Sequence, residues 1–288
     1  MTQQTDTGLI ERISNEYYNL TAAEKKAADF VVSHRTETQK MSITDLAEKS
    51  DVAEATLSRF VRRLGYRGFS DFKMDLARSL ASSEQEFSPL SGEVHDKDSF
   101  SEICRKLYAA DEDAITQTLR LVDEDSIRKA ADLIEAADKV VCMGQGGSMI
   151  IAEEAAHIFM TIGSKYFSIS DNHTQAIVTA TMNEKDVILY FSYSGATRDM
   201  MQTLSVAQAR GVKIILITHY PNSPGVQFAD VILLCGAKES PLQLGSIPAK
   251  ISQLFLLDML FSEVARRNLD ECRKARTQIA NALAEKHL

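Results

Sequence analysis

Hydrophobic positions along the chain fall into two regimes. Up to about residue 80 they recur every three or four residues, the period of short amphipathic helices. From Val140 onward, short apolar runs alternate with helical stretches. That is the pattern of buried parallel strands with crossover helices.

In the first regime, Thr21-Ala22-Ala23-Glu24 is a capping box and predicts a helix to about Ser33. Its apolar stripe is Ala27, Ala28, Val31 and Val32. Ser42-Ile43-Thr44-Asp45 starts a second helix, with Leu46 and Ala47 facing inward, and Ser50-Asp51-Val52 breaks it. A third helix runs from about Glu54 to Leu64, closed by Gly65. Two helices joined by a short turn form a helix-turn-helix unit. A fourth helix packs through Phe69, Phe72, Leu76 and Leu80.

In the second regime, Ser99-Phe100-Ser101-Glu102 caps a helix to about Leu121, and another spans Ser126 to Ala136. Strands are predicted at Val140–Met143, Tyr166–Ile169, Val187–Phe191, Ile214–Thr218 and Val231–Leu234. Helices follow at Ser148–Thr161, Asn172–Thr181 and Thr197–Arg210. The run Ile251–Ala265 is too apolar to face solvent alone, so it belongs in the core or in a subunit interface. Between the regimes, Ala81–Asp98 is rich in Ser, Glu and Asp and reads as a linker. The expected organisation is therefore a helical DNA-binding domain over 1–80, a linker over 81–98 and an α/β domain over 99–288.

Composition narrows the function classes. The 288-residue chain is ordinary for a globular protein, with 44% hydrophobic and 25% charged residues. No apolar run reaches the roughly 18 residues needed to span a bilayer, and the polar N-terminus has no secretory core. The four cysteines are far apart, which argues against a disulfide framework or zinc site and favours a reducing, cytoplasmic setting. The net charge is −8. Basic and acidic residues balance within 1–80, so the excess negative charge resides in the remainder. Broad nonspecific nucleic-acid binding is disfavoured, whereas a small module with a local basic face is not.

The third helix has such a face. With Ala55 at zero, Leu57, Phe60, Val61 and Leu64 fall at roughly 140–240°. Ala55, Thr56, Arg59, Arg62 and Arg63 fall at roughly 340° through 100°. Small N-terminal residues allow close approach to base edges, and arginines reach guanine or phosphate. Arg67 and Lys73 extend the positive patch.

Two turns in the second regime have the chemistry of anion sites. Gly144-Gln145-Gly146-Gly147-Ser148 follows the first strand and leads into a helix. It matches neither a Walker loop nor a dinucleotide fingerprint. Ser192-Tyr193-Ser194-Gly195-Ala196-Thr197 follows the third strand and also opens a helix. Helix N-termini carry free N–H groups and partial positive charge, and short hydroxyls add donors there. In a strand order 2-1-3-4-5, both loops would lie side by side at the topological switch point.

The segment ITDLAEKSDVAEATLSRFVRRLGYRGFSDFKMDLA resembles the N-terminal winged or extended helix-turn-helix domain of the RpiR family of bacterial transcription regulators. That resemblance covers about residues 8–80. It places Thr44, Thr56, Ser58, Arg59, Arg62 and Arg63 on the DNA-facing elements. Residues 99–270 resemble the sugar isomerase (SIS) domain of phosphosugar isomerases, glucosamine-6-phosphate synthase and RpiR-type regulators. The SxSGxT pattern at Ser192–Thr197 carries most of that resemblance. ITHYPNSPGVQFADVIL and KESPLQLGSIPAKISQLFLLDMLF are similar to later family segments. The resemblance implies an α/β/α sandwich with a five-stranded parallel sheet. It also implies that Ser192–Thr197 and Ser148 hold a sugar phosphate. In regulators the closing segment often carries a Ser-Ser/Thr-Ser-Arg run. Here Gly245-Ser246-Ile247-Pro248-Ala249-Lys250 leaves only Ser246 matched.

An isomerase would need a proton-transfer pair. Candidates are Glu153, Glu154, His157, His173, His219 and Glu239. Asp171 and His173 supply too few ligands for a metal. His173 is instead expected beside the crevice as a ligand contact. Residues 1–80 have no use in an isomerase, so a regulator is the expected function. Its partners would be operator DNA, a phosphorylated sugar or amino-sugar effector and further copies of the chain in a homodimer or homotetramer. No cofactor, metal or membrane is expected.

Overall fold

The computed structural model describes residues 9–85, 94, 96–237 and 247–284. The chain divides into two compact units, Met1–Ser91 and Gly92–Leu288.

The first unit is helical: α1 (Leu9–Glu16), α2 (Ala22–Ser33), α3 (Arg35–Lys40), α4 (Ile43–Lys49), α5 (Glu54–Arg63) and α6 (Phe69–Gln85). The expected capping box at Thr21 forms, and the helix start read at Ser42 also carries one. Thr21 and Glu24 close the start of α2, and Ser42 and Asp45 that of α4. α5 ends where expected. The Tyr66 N–H reaches the Val61 carbonyl and the Gly65 N–H that of Arg62, which is a Schellman motif. Leu46, Leu57, Phe60, Val61, Phe72 and Leu76 are fully buried and form the centre of this unit's core. The side chain of Leu80 lies outside the described residues. α1 and α3 have no counterpart in the sequence reading. α3 is short and polar, RTETQK, with no apolar stripe to announce it. α6 continues to Gln85, five residues into the stretch read as linker, because ASSEQ contains no helix-breaking residue.

The second unit opens with α7 (Phe100–Leu121) and α8 (Glu124–Ala136). α7 begins at the Ser99 capping box, and α8 starts two residues ahead of expectation because Asp123 caps it. Strands β1 (Lys139–Gly144), β2 (Tyr166–Ser168), β3 (Asp186–Phe191), β4 (Lys213–Thr218) and β5 (Val231–Leu234) then alternate with α9 (Gly147–Met160), α10 (Asn172–Thr181) and α11 (Arg198–Ala209). The chain closes with α12 (Ile247–Arg267) and α13 (Leu269–Ala284). All strands are parallel, in the order β2-β1-β3-β4-β5.

Side-chain alternation sends the two faces of this sheet into separate cores. Val140, Cys142, Leu189, Phe191, Ile215 and Ile217 pack beneath α8, α9 and α12. Val141, Met143, Ile188, Tyr190, Ile214 and Leu216 pack against α11 residues Met200, Leu204 and Ala207. The apolar run in α12 lies in the core, with Leu256, Leu257, Leu260, Phe261 and Val264 buried. α7 rests on α12, and Thr118 Oγ1 bridges both the N–H (3.0 Å) and the carbonyl (3.2 Å) of Gly236.

Candidate functional site

α5 presents a basic face, although a narrower one than its periodicity suggests. Ala55, Arg59 and Arg62 are exposed and Ser58 is half-buried. Thr56, expected on the exposed face, is buried. Its predicted angle lies only about 40° from that of Phe60, so it falls at the edge of the packing face. Arg63 is committed to the fold. Its Nη1 donates to the Asn19 carbonyl at 3.0 Å, and its Nε stands 3.5 Å from the buried Glu24 carboxylate. Arg67 is paired with Asp71, and Lys73 donates to the Met41 carbonyl at 2.7 Å. Thr44, exposed on α4, donates to Glu54 Oε1 at 2.6 Å across the turn. Ala53, the residue preceding α5, supplies no side-chain cap.

In the second unit, β1 and β3 pair to their last residues, with Gly144 opposite Phe191. Their loops therefore emerge together, each leading into a helix N-terminus. Gly195 sits at φ 59°, and a Cβ there would meet Ser223 Oγ at 2.1 Å and Thr218 Oγ1 at 2.9 Å. Only glycine fits this conformation and this space. The Gly195 N–H donates to Ser192 Oγ at 3.1 Å, and its carbonyl accepts from the Gly225 N–H at 2.8 Å. Thr218 Oγ1 donates to the Tyr193 carbonyl at 3.1 Å. The Tyr193 hydroxyl donates to the Ala237 carbonyl at 2.6 Å. The loop is thus anchored to the ends of β4 and β5. Ser192 is buried, Ser194 and Ala196 are half-buried and Thr197 is exposed.

Across from it, Gly144 is packed against the Ser148 carbonyl, 2.7 Å from where a Cβ would stand. Gly146 precedes α9, and Ser148 lies half-buried in its first turn. Gln145 Nε2 is buried with no partner among the described residues. Sequence reasoning missed Gln175, which is fully buried. Its Nε2 donates to the carbonyls of Gly144 (3.1 Å) and Ile169 (2.7 Å), joining the ends of β1 and β2. Nothing in the sequence distinguishes it from a surface glutamine. Ser223, buried behind Gly195, was also missed, although it lies within the family-like ITHYPNSPGVQFADVIL segment.

The acid–base candidates are scattered. Glu153, Glu154 and His157 lie on the exposed face of α9. His219 stacks on Tyr193, with ring centroids 4.9 Å apart, and its Nδ1 faces the Cys235 carbonyl at 2.9 Å. Burial lowers its pKa despite that hydrogen bond. Asp171 caps α10, accepting from Thr174 N and Oγ1, both at 2.7 Å. Those bonds, with the nearby His173, hold its carboxyl below the usual range. His173 is exposed in the first turn of α10. Asn172 links that turn to α11 through Asp199 at 2.8 Å. Ser246 and Glu239 lie outside the described residues. Among the described residues no group of three or more His, Cys, Asp and Glu side chains could hold a metal, and no helix is long and apolar enough to cross a membrane.

Comparison with known proteins supplies the family. The helix-turn-helix domain of the rpiR family matches residues 7–83, and the SIS domain matches residues 133–263. A Clostridium perfringens protein described as an uncharacterized HTH-type transcriptional regulator is 33% identical over 96% of this chain and 99% of its own. A similarly described Haemophilus influenzae protein is 30% identical over 97% and 98%. Among solved structures, Vibrio vulnificus NanR complexed with ManNAc-6P superposes with a TM-score of 0.64 at 24% identity, covering 97% of this chain and 99% of that one. This last likeness establishes the shared fold. Both domains match in order and the curated relatives span nearly the whole chain, so this protein belongs to the rpiR family of helix-turn-helix transcriptional regulators with a C-terminal SIS domain.

Proposed function

We propose that the protein binds operator DNA through α5 and takes a phosphorylated sugar or amino sugar at the paired loops after β1 and β3, the ligand setting its affinity for DNA. The observation that carries the ligand reading is the juxtaposition of Gly144–Ser148 with Ser192–Thr197. Two helix N-termini and several hydroxyls converge where β1 and β3 end side by side. This environment favours a dianionic phosphate. The ManNAc-6P complex of NanR, on the same fold, supports that class of ligand. In this reading Ser148, Ser192, Ser194 and Thr197 surround the phosphate, with the backbone of Gln145–Gly147 and Tyr193–Ala196 completing the cradle. His173 stands at the rim. Arg59 and Arg62 contact DNA, while Ala55 and Ser58 permit close approach.

In this reading the protein acts as a regulator rather than as an isomerase. Among the described candidate acids and bases, Glu153, Glu154 and His157 are exposed on α9, His173 is exposed in the first turn of α10 and His219 is packed against Tyr193 of the loop. None are paired across the crevice. The test is a thermal-shift and calorimetric screen against sugar phosphates, followed by operator binding with and without the hit. A saturating ligand stabilises its target by about 2.7 kcal/mol at a hundredfold excess over Kd. Ser194→Ala should lose the ligand response and keep ligand-free DNA binding. Arg59→Ala should weaken operator binding by about 1–3 kcal/mol while leaving the ligand response intact. A ligand response surviving Ser194→Ala would refute the assignment of the crevice, and turnover of the sugar phosphate would refute the regulator-only reading.

A further inference from the structure

The Tyr193 side chain leaves the Ser192–Thr197 loop sideways, across the carboxyl ends of the strands. Its hydroxyl donates to the Ala237 carbonyl at 2.6 Å, so it bridges from the end of β3 to the residues beyond β5. On the way its ring stacks on His219, which follows β4, with the planes 4° apart. Three small residues receive the ring: Ala114 of α7, Ala237 and Ala249 of α12. The residue before Ala237 is fastened to α7. The Gly236 N–H donates to Thr118 Oγ1 at 3.0 Å, and Thr118 Oγ1 donates to the Gly236 carbonyl at 3.2 Å. A Cβ on Gly236 would stand 2.5 Å from that of Gln117, so the two backbones touch. Thr118 itself is fully buried. The crevice loop is thus tied to α7, the first helix beyond the unit boundary at Ser91.

Coupling between two sites needs an element with two arrangements that both sites bias. The loop has them. As it stands, the Gly195 N–H donates to Ser192 Oγ at 3.1 Å and the Ala196 N–H to Ser194 Oγ at 3.4 Å. The loop's own hydroxyls occupy the donors that a phosphate would take. A phosphate entering the crevice must displace them, and Tyr193 lies between the two serines that give way.

We infer that Tyr193 carries the occupancy of the crevice to α7: a phosphate that reorders the loop draws the Tyr193 hydroxyl off Ala237 and loosens the tie between Gly236 and Thr118. The inference rests on the crevice reading above and names how that site acts on the rest of its unit. The direction follows from the bond length. A hydrogen bond already made at 2.6 Å can report a change only by lengthening. α7 is therefore held while the crevice is empty and loosened when it is filled.

Hydrogen exchange of the full chain in saturating inorganic phosphate, with chloride at matched ionic strength as the reference, tests this. In the wild type the amides of residues 192–197 should exchange more slowly with phosphate, and those of residues 114–121 and Gly236 several-fold faster. Thr118→Val, at a residue outside the crevice, cuts the tie from the α7 side. Its loop should be protected by phosphate as in the wild type, while the phosphate response at 114–121 disappears. Tyr193→Phe should make 114–121 exchange fast without phosphate, with no further change on adding it. A merely structural role would lower the melting temperature of either variant yet leave the phosphate response at 114–121 in place, and that result overturns the inference. So does a wild type protected at 192–197 but unchanged at 114–121, a result that needs no variant to fold. Absence of protection at 192–197 in the wild type refutes the crevice reading and this inference with it. Because the loop and α7 are read separately, the two failures are distinguishable, and neither depends on an operator assay.

Discussion

Arg63 and Glu24 show how a single residue type can serve two purposes on one helix. The Glu24 side chain is buried within its capping box, and burial by itself favours the neutral acid. The hydrogen bonds from Thr21 and the positive charges of Arg63 and Arg59 outweigh that cost and hold its pKa below the ordinary value of 4.5. A carboxylate whose pKa is depressed by folding stabilises the fold above its unfolded pKa, and this contribution is lost as pH falls through the folded value. Arg63→Ala leaves a buried carboxylate short of a partner. It should lower the melting temperature of the first unit at pH 7, with the difference from wild type shrinking below about pH 4. Arg62→Ala, at an exposed position, should leave melting unchanged. Parallel melts across pH 3–7 distinguish the two. The glycine-rich turn has its own residue-scale dependence on Gln175, whose amide holds the ends of β1 and β2 together.

At the scale of elements, α5 is a helix whose start is left uncapped. Its neighbours α2 and α4 begin with complete capping boxes, whereas Ala53 offers no side-chain acceptor. Ala53 has extended backbone angles suited to an N-cap, so Ala53→Asp should stabilise the unit by about 0.5–2 kcal/mol, measured by denaturant unfolding. The same substitution places a carboxylate at the end of the helix proposed to approach DNA and should weaken operator binding. Gain in one assay with loss in the other would mark α5 as a helix whose stability is sacrificed for access. Elements with a strong apolar period were legible in the sequence: α2, α4, α5, α7 and all five strands stand within a few residues of expectation. α3 escaped because polar residues line it throughout. The extent of α6 escaped because composition resembling a linker can still be helical. Thr56 escaped because a wheel angle near the edge of a packing face does not decide burial.

For the whole molecule, the distribution of charge sets the behaviour in solution. In the proposed reading a chain of net charge −8 approaches DNA through a small basic face against a repulsive remainder. Operator affinity should therefore fall steeply with salt. Arg62→Ala should reduce the slope of log K against log salt by about one if its contact is with phosphate. Fluorescence anisotropy across a salt series measures this directly. The switch-point architecture was legible because β1 and β3 each end in a hydroxyl- or glycine-rich turn. The pins of the Ser192–Thr197 loop were not. Thr218, Ser223, Gly225 and Ala237 reach it from β4, β5 and their connections, and such long-range contacts leave no periodic trace in sequence.

The tie between Arg63 and Glu24 also bears on how such a chain can change its target over evolutionary time. In the proposed reading Arg59 and Arg62, both exposed, answer mainly to the nucleic acid, so substitutions there can explore new operators without eroding the fold. Arg63 answers to the interior, and drift at that position is filtered by stability before any change in recognition is tested. A gene duplicate would therefore diverge in target preference through one pair of adjacent helical turns while the neighbouring arginine stays fixed.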